Sequence, residues 1–397
     1  MYDAIVIGAR AAGAPTAMLL ARSGYRVLLV DRATFPSDTL STHIVHAPGI
    51  AALARWNLLD EVTATGCPPI DSYTFDFGPL AIRGTSRPVD GIARAFAPRR
   101  TVLDTLLVEA AARAGAEVRQ GYNVDSLVVE DGVVAGIRHG GGVERARIVI
   151  GADGRGSRVA RQLQPTRYNT KPKLQYSFYT YFSNLPLDGQ ENHIRPHRGF
   201  GCAHTNDGLT MIVAGWPYAE ARAYKSNVED NYLATLRMVP DMADRLASAR
   251  REAPFLGGAV AGGFRKPYGP GWALVGDAGY EIDPITAQGI SNAFLDAERC
   301  VAAIDSWLGE TTPFGEAMTA WQGERDTRVT AMYEFTSQLA TLEPPPPGMV
   351  QLFQAIQSSQ RDQDDFVSVV SGALSPADFF AEANLARILG PTGTPVG

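Results

Sequence analysis

A chain of 397 residues with 45% hydrophobic and 20% charged side chains has ordinary globular composition, enough for two domains or one elaborated domain. Its formal charge of −6 argues against a general nucleic-acid or anionic-membrane surface. Cys67, Cys202 and Cys300 are scattered without CxxC spacing, which excludes a disulfide framework or cysteine metal site and predicts reduced thiols in a cytoplasmic protein.

The first strand begins at once, with no basic segment ahead of an apolar core. No apolar run reaches the roughly 18 residues that cross a bilayer, so neither a leader nor a membrane span is expected. Tyr2 to Gly8 reads as a short buried strand ending in glycine. Ala9-Arg10-Ala11-Ala12-Gly13-Ala14 turns into a helix carrying Ala17, Leu19, Leu20 and Ala21. Tyr25 to Asp31 is a second strand, and its final acid stands 23 positions after Gly8. Strand, glycine turn, helix, strand and acid make the dinucleotide-binding βαβ pattern. Gly8 permits the tight turn, and Gly13 lets the helix pack closely on the strand. The helix start offers free N–H groups and partial positive charge to a pyrophosphate. Asp31 can accept hydrogen bonds from ribose hydroxyls. Arg10 stands where a second glycine normally lets backbone approach the phosphates. Its side chain must point away, or reach the pyrophosphate or a neighbouring acid.

Residues 32–43 are polar, contain Pro36, and read as a loop leaving the second strand. Such a loop runs along a bound nucleotide, so Ser41, Thr42 and His43 are candidates to lie near its reactive end. A solvated or capping role for His43 is an equal reading. His43 and His46 have no evident third ligand, so no metal is expected. Pro48 opens a helix. Residues 70–97 form short strands. A strongly amphipathic helix then runs from Pro98 to near Gly115. Arg99 and Arg100 at its start oppose the helix dipole; a bound phosphate would repair that, and surface arginines are the plainer alternative. Glu117 to Val129 reads as one strand bent near Gly121, and Asp131-Gly132 as a hairpin turn. Arg147 to Ile150 is a buried strand ending in Gly151-Ala152-Asp153-Gly154, with Ser157, Arg158 and Arg161 following on a helix.

The character changes near Pro165. Residues 174–182 are aromatic-rich and fit a separate antiparallel sheet, with further strands near 200–204 and 209–215 and helices over 218–238 and 240–249. Residues 272–276 return to the buried-strand pattern, capped by Asp277, and Asp283 to Gly289 precede a helix starting at Ile290. Three distant segments thus end buried strands in glycine or acid. From Thr312 the chain is helical, broken at Pro344 to Pro347, helical again to about Leu389, and frayed at its end.

The three segments resemble the three fingerprints of FAD-containing aromatic hydroxylases of the para-hydroxybenzoate hydroxylase type. That superfamily also holds flavin halogenases and geranylgeranyl reductases. The resemblance spans roughly residues 2–300. It implies an α/β fold: a Rossmann-like FAD-binding domain (1–69, 99–165 and 266–330), an inserted antiparallel-sheet substrate domain (70–98 and 166–265) and a C-terminal helical region (331–397). Carried over, Gly8, Arg10, Ala12 and Gly13 form the ADP-binding turn. Asp31, with Arg32 beside it, binds the AMP ribose. Ser41 and Thr42 lie along the cofactor, Arg100 approaches the phosphates, and the Val124 backbone sits by the adenine. Asp153 belongs to a motif linked to both FAD and nicotinamide. Asp277 contacts the ribityl–phosphate chain, and Gln288, Gly289 and Ile290 point N–H groups at the flavin N1–C2 edge. The chain departs from the pattern at Arg10, at Gly279-Tyr280 and at Thr286, where a glycine is usual.

The implied activity is FAD-dependent monooxygenation of a small aromatic or polycyclic substrate by O2, through a flavin C4a-hydroperoxide that needs water excluded. No second nucleotide fingerprint is visible. That fits NADPH or NADH docking transiently, and equally a flavin reductase partner supplying reduced flavin. Tyr176, Phe178, Tyr179, Tyr181 and Phe182 either wall the substrate pocket or form core; alternation lets only one set face it. Candidate catalytic groups are His43, Tyr176 and His204. A prenyl reductase needs the same fold without oxygen. A halogenase would carry a lysine ahead of Lys171 and a Trp-x-Trp-x-Ile-Pro stretch, both absent here. A non-catalytic flavoprotein is the remaining alternative. Monomer and homodimer are both compatible with the sequence.

Overall fold

The computed structural model describes residues 1–390; the expected frayed end, 391–397, lies outside the described residues. Five strands form a parallel sheet in the spatial order Trp272–Leu274, Gly142–Gly151, Tyr2–Ile7, Val27–Val30 and Glu117–Arg119. These strands are apolar on both faces because both are covered. Ala4, Val6, Leu29 and Ile150 pack under the helices Gly13–Arg22, Arg100–Arg113 and Gly289–Leu308. Ile5, Ile7, Val30 and Val149 face the hairpin Ser126–Glu130/Val133–His139 and the helix Arg158–Leu163. Register aligns the strand ends: Ile7 lies beside Gly151, and Gly151 beside Leu274. The chain segments after Ile7, Gly151 and Leu274 therefore leave one edge of the sheet side by side. The strand order reverses between Tyr2–Ile7 and Gly142–Gly151, which opens a crevice there.

Two strands replace the single one expected over Glu117 to Val129. Gly121 adopts φ 66°, its N–H donates to the Ala33 carbonyl, and the Tyr122 N–H donates to the Asp31 carbonyl. These bonds turn the chain across the 32–43 loop before it enters the hairpin. The helix from Arg100 buries the Arg100 and Asp104 side chains among its leucines, so its inner face is mixed rather than cleanly apolar.

A second sheet runs Gln175–Ser183, Thr210–Pro217, Arg198–His204, Gln190–Arg195, Tyr73–Asp76 and Ala81–Gly84. It is antiparallel except where Gln190–Arg195 meets Tyr73–Asp76 in parallel. Gln190–Arg195 carries no apolar alternation, because one of its faces buries an ionic network instead. Glu191 pairs with Arg245 at 2.7 Å, and His193 with Asp76 at 2.9 Å. The helix expected over 218–238 divides into Ala221–Ser226 and Val228–Leu236 at Asn227, whose side chain caps the second piece. The C-terminal helices Phe314–Leu339, Pro347–Gln357 and Gln360–Val370 bury Phe335, Phe353 and Phe366 against Phe75 and Ile82 of the second sheet.

Candidate functional site

A cleft of about 950 Å³ begins at the crevice in the parallel sheet and ends against one face of the second sheet. Its first wall is the glycine turn. Gly8 has φ 100°, and a β-carbon there would lie 2.4 Å from the Ala152 carbonyl oxygen. Gly13 stands behind the wall: a β-carbon there would sit 1.7 Å from the Gly8 carbonyl oxygen, so only glycine allows this helix-to-strand approach. Arg10, Ala12, Asp31 and Arg32 line the cleft. Asp31 uses both oxygens, accepting 2.7 Å hydrogen bonds from the Ala9 and Ala33 N–H groups. It thereby fixes both the turn and the start of the following loop.

Arg10 does not project freely. It donates to Asp104 at 2.6 Å and to the Ser37 carbonyl at 3.0 Å. Asp104 is fully buried and also accepts from Arg100 at 2.8 and 3.0 Å. An acid four positions on thus satisfies the cation at the helix start. Arg100 still lines the cleft, while Arg99 pairs with Asp207 at 3.1 Å.

Val124 lines the end of the cleft near Tyr122 and Asn123. Asp153 lines it too. Its Oδ2 accepts from the Arg158 N–H at 2.7 Å, and its buried Oδ1 has no partner. Ser41, Thr42, Asp277, Gly289 and Ile290 complete this wall, with the Asp277 carboxylate 3.9 Å from Arg155. Gln288 does not line the cleft. Its side chain donates to the Val370 carbonyl at 2.8 Å, tying this turn to the C-terminal helices. Thr286 needs no glycine because the left-handed residue is Ala287, at φ 53°. The Thr286 hydroxyl meets Thr336 at 2.8 Å, and its carbonyl accepts from His46 at 3.0 Å.

The second sheet closes the far end. Alternation divides Gln175–Ser183 into two faces. Ser177 and Tyr179 line the cleft, with Val213 of the neighbouring strand. Phe178 and Phe182 pack on the opposite face with Trp216 and Tyr232. Tyr176 belongs to that opposite face, 5.0 Å from the Phe178 ring and 4.1 Å from the Lys225 ammonium, and does not reach the cleft. His204 hydrogen-bonds Thr210 at 3.0 Å and is also absent from the cleft wall. These two catalytic candidates are set aside on position alone.

His43 is fully buried behind Ser41 and Thr42, rather than solvated or capping. Its Nε2 lies 2.5 Å from the Tyr181 hydroxyl, and its Nδ1 has no partner. Burial, then the charges of Arg100 and Arg99, push its pKa down to about 3, so the imidazole is neutral at ordinary pH. Tyr179, 5.7 Å away ring to ring, presents a buried hydroxyl without a partner; burial pushes it up to about 12. Asp283 lies between the cleft residues Ile282 and Pro284. Its Oδ1 accepts from Gln175 at 2.5 Å and Ile285 N–H at 3.0 Å, its Oδ2 has no partner, and burial raises it to about 7.

The sequence reading did not single out Asp283, Ser177 or the segment 257–261. Its signal was present in Gly257-Gly258-Ala259. A β-carbon at Gly257 would lie 2.3 Å from the Phe178 ring on the covered face, so glycine there lets Leu256–Gly258 pair closely with Gln175–Ser183 at the edge of the cleft.

Residues 1–336 match the family described as FAD binding domain. The chain belongs to this FAD-binding family. Its cofactor is FAD and its enzyme class is oxidoreductase. Among curated members, 6-methylpretetramide 4-monooxygenase of Streptomyces rimosus is 28% identical over 308 residues, 74% of this chain and 73% of that one. Digeranylgeranylglycerophospholipid reductase of Methanocella arvoryzae is 30% identical over 317 residues, 74% of each chain. The solved flavin-dependent brominase Bmp2 shares the fold with a TM-score of 0.80 and 16% identity, covering 98% of this chain and 97% of that one. The cleft fits the cofactor of this FAD-binding family. It runs between two sheets, Gly8 of its turn admits no side chain, Asp153 keeps an unpaired buried oxygen, and Arg32, Arg100 and Arg155 line it. Among the described residues no helix is long and apolar enough to cross a membrane.

Proposed function

We propose that this protein uses FAD, NAD(P)H and O2 to hydroxylate or epoxidise a small aromatic or polycyclic substrate. One observation carries the reading: a single cleft joins the Asp31 turn to the Ser177–Tyr179 face of the second sheet. One end suits a nucleotide and the other a ring-shaped apolar molecule. The similarity to 6-methylpretetramide 4-monooxygenase supports oxygenation.

Bound FAD would supply reduction of O2 and oxygen transfer. The chain's own residues bind, shield and handle protons. Gly8, Ala12, Asp31, Arg32 and Arg100 would hold the nucleotide half, with Val124 near the adenine. The helix Gly289–Leu308 starts at the cleft wall, so its positive end would favour the anionic reduced cofactor. Asp153 and Asp277 would take hydroxyl donors. Leu40 packs with Tyr179, Tyr181 and Met211 and keeps water from the substrate end. Tyr179, kept protonated by burial, would donate a hydrogen bond to a substrate oxygen, with the neutral His43–Tyr181 pair behind it.

The test is product analysis with a panel of simple and polycyclic phenols under isotopically labelled O2. One labelled oxygen in the product, with NAD(P)H consumed, is expected. The similarity to the archaeal reductase favours one second reading, saturation of prenyl double bonds. Saturated product formed anaerobically, or halide-dependent product, would overturn the proposal.

A further inference from the structure

We infer that Arg10, standing where a glycine is usual, staples the loop 33–42 across the cleft and makes FAD a resident cofactor rather than one exchanged with a partner reductase. This rests on the FAD reading above. The loop has no helix or strand of its own and lines the cleft through Ser37, Asp38 and Leu40. What holds it comes from outside. Arg10 Nη1 donates to the Ser37 carbonyl at 3.0 Å and Nη2 to the Ser37 hydroxyl at 3.0 Å and the Asp38 carbonyl at 3.2 Å. The guanidinium also lies over the Phe35 ring, 5.2 Å from its centre.

The other end of the staple is firm. Nη1 donates to Asp104 at 2.6 Å, and Asp104 is fully buried between Arg10 and Arg100. A charge-assisted bond to a buried carboxylate is among the strong ones. At its start the loop is held by Asp31, which accepts from the Ala33 N–H at 2.7 Å, by Gln120, which accepts from the Phe35 N–H at 2.7 Å, and by the Gly121 N–H on the Ala33 carbonyl. Leu40 anchors its end in the Tyr179–Tyr181 cluster. Arg10 is therefore the central fixing point. Its terminal nitrogens are taken by protein acceptors, so its role is to position the loop. A loop fixed at three places opens rarely, and a molecule beneath it leaves only when it opens. Glycine at this position would keep the turn and remove the staple, leaving Asp104 paired with Arg100 alone.

The experiment compares FAD release from the wild-type holoprotein, Arg10→Gly and Arg10→Lys, read as recovery of free flavin fluorescence after dilution. Limited proteolysis of the loop and thermal melting run in parallel. Wild type should keep FAD through gel filtration. Arg10→Gly should release it at least tenfold faster and become cleavable within 33–42, while melting within a few degrees of wild type. Arg10→Lys should fall between. Unchanged release and protease resistance in Arg10→Gly overturn the staple. If Arg10→Gly does not fold, Ser37→Ala carries the same test, with release expected to rise about threefold and an unchanged rate contradicting it. Wild type that binds FAD but loses it on gel filtration overturns residence. Wild type that never takes FAD overturns the cofactor reading instead.

Discussion

Asp31 accepts two backbone N–H groups and faces the cleft, so one carboxylate shapes the turn and, in the proposed reading, would hold the ribose. Replacing it leaves buried donors unpaired, an effect of about 1.5–3 kcal/mol for charged hydrogen bonds. Asp31→Ala should therefore weaken FAD binding roughly 10- to 100-fold, measured by fluorescence titration; unchanged affinity would contradict its role. Tyr179 is different, because it touches the substrate end alone. Tyr179→Phe should keep FAD affinity and lower kcat/KM for a phenolic substrate by roughly 100-fold, within the usual span for acid–base groups. Equal rates for the two proteins would remove Tyr179 from the chemistry. Asp283 ionises near pH 3.8 in an unfolded chain and near pH 7 in its buried setting. Between those values the folded protein keeps a proton that the unfolded chain has lost. The stability of the neutral carboxyl is thus complete below about pH 4 and is lost as pH rises through about 7. Asp283→Asn removes that loss. Relative to wild type it should gain about 4 kcal/mol between about pH 4 and 8, seen by urea denaturation. A pH-independent difference would rule this out.

Among the elements, Gln175–Ser183 best separates what was legible from what was not. Its aromatic density announced a strand, and alternation allowed at most one set of rings to face a pocket, with core as the equal alternative. Which set did so was fixed by covering helices that carry no mark in the strand itself. The helices Val228–Leu236 and Pro240–Leu246 bury Phe178, Phe182 and Trp216, leaving Ser177 and Tyr179 for the cleft. Tyr176 and His204 were misplaced as catalytic candidates for that reason. The strand Gln190–Arg195 escaped notice because its inward residues pair charges across the chain, and pairing leaves no hydrophobic rhythm. The βαβ unit, by contrast, was readable because Gly8, Gly13 and Asp31 are each demanded by local geometry. The division of faces makes a prediction: Trp216→Ala on the covered face should destabilise the protein by about 3–5 kcal/mol in chemical denaturation, with KM unaltered at temperatures where it stays folded. A raised KM with unchanged stability would reverse the assignment of faces.

At the scale of the molecule, strand register does the assembling. Segments after Ile7, Gly151 and Leu274 emerge side by side because their strands are neighbours. The repetition of glycine and acid was visible in the sequence; the adjacency of those strands was only implied by it. The support from the C-terminal helices was not visible at all, since the Gln288 contact with Val370 joins residues 82 positions apart. The cleft and its glycine turn fit one FAD, and the second sheet closes the end proposed for the substrate. The most direct test is to titrate the purified protein with FAD and count what remains bound after gel filtration. Saturation at one FAD per chain and a yellow protein are expected; a colourless protein that refuses added FAD would contradict this assignment of the cleft.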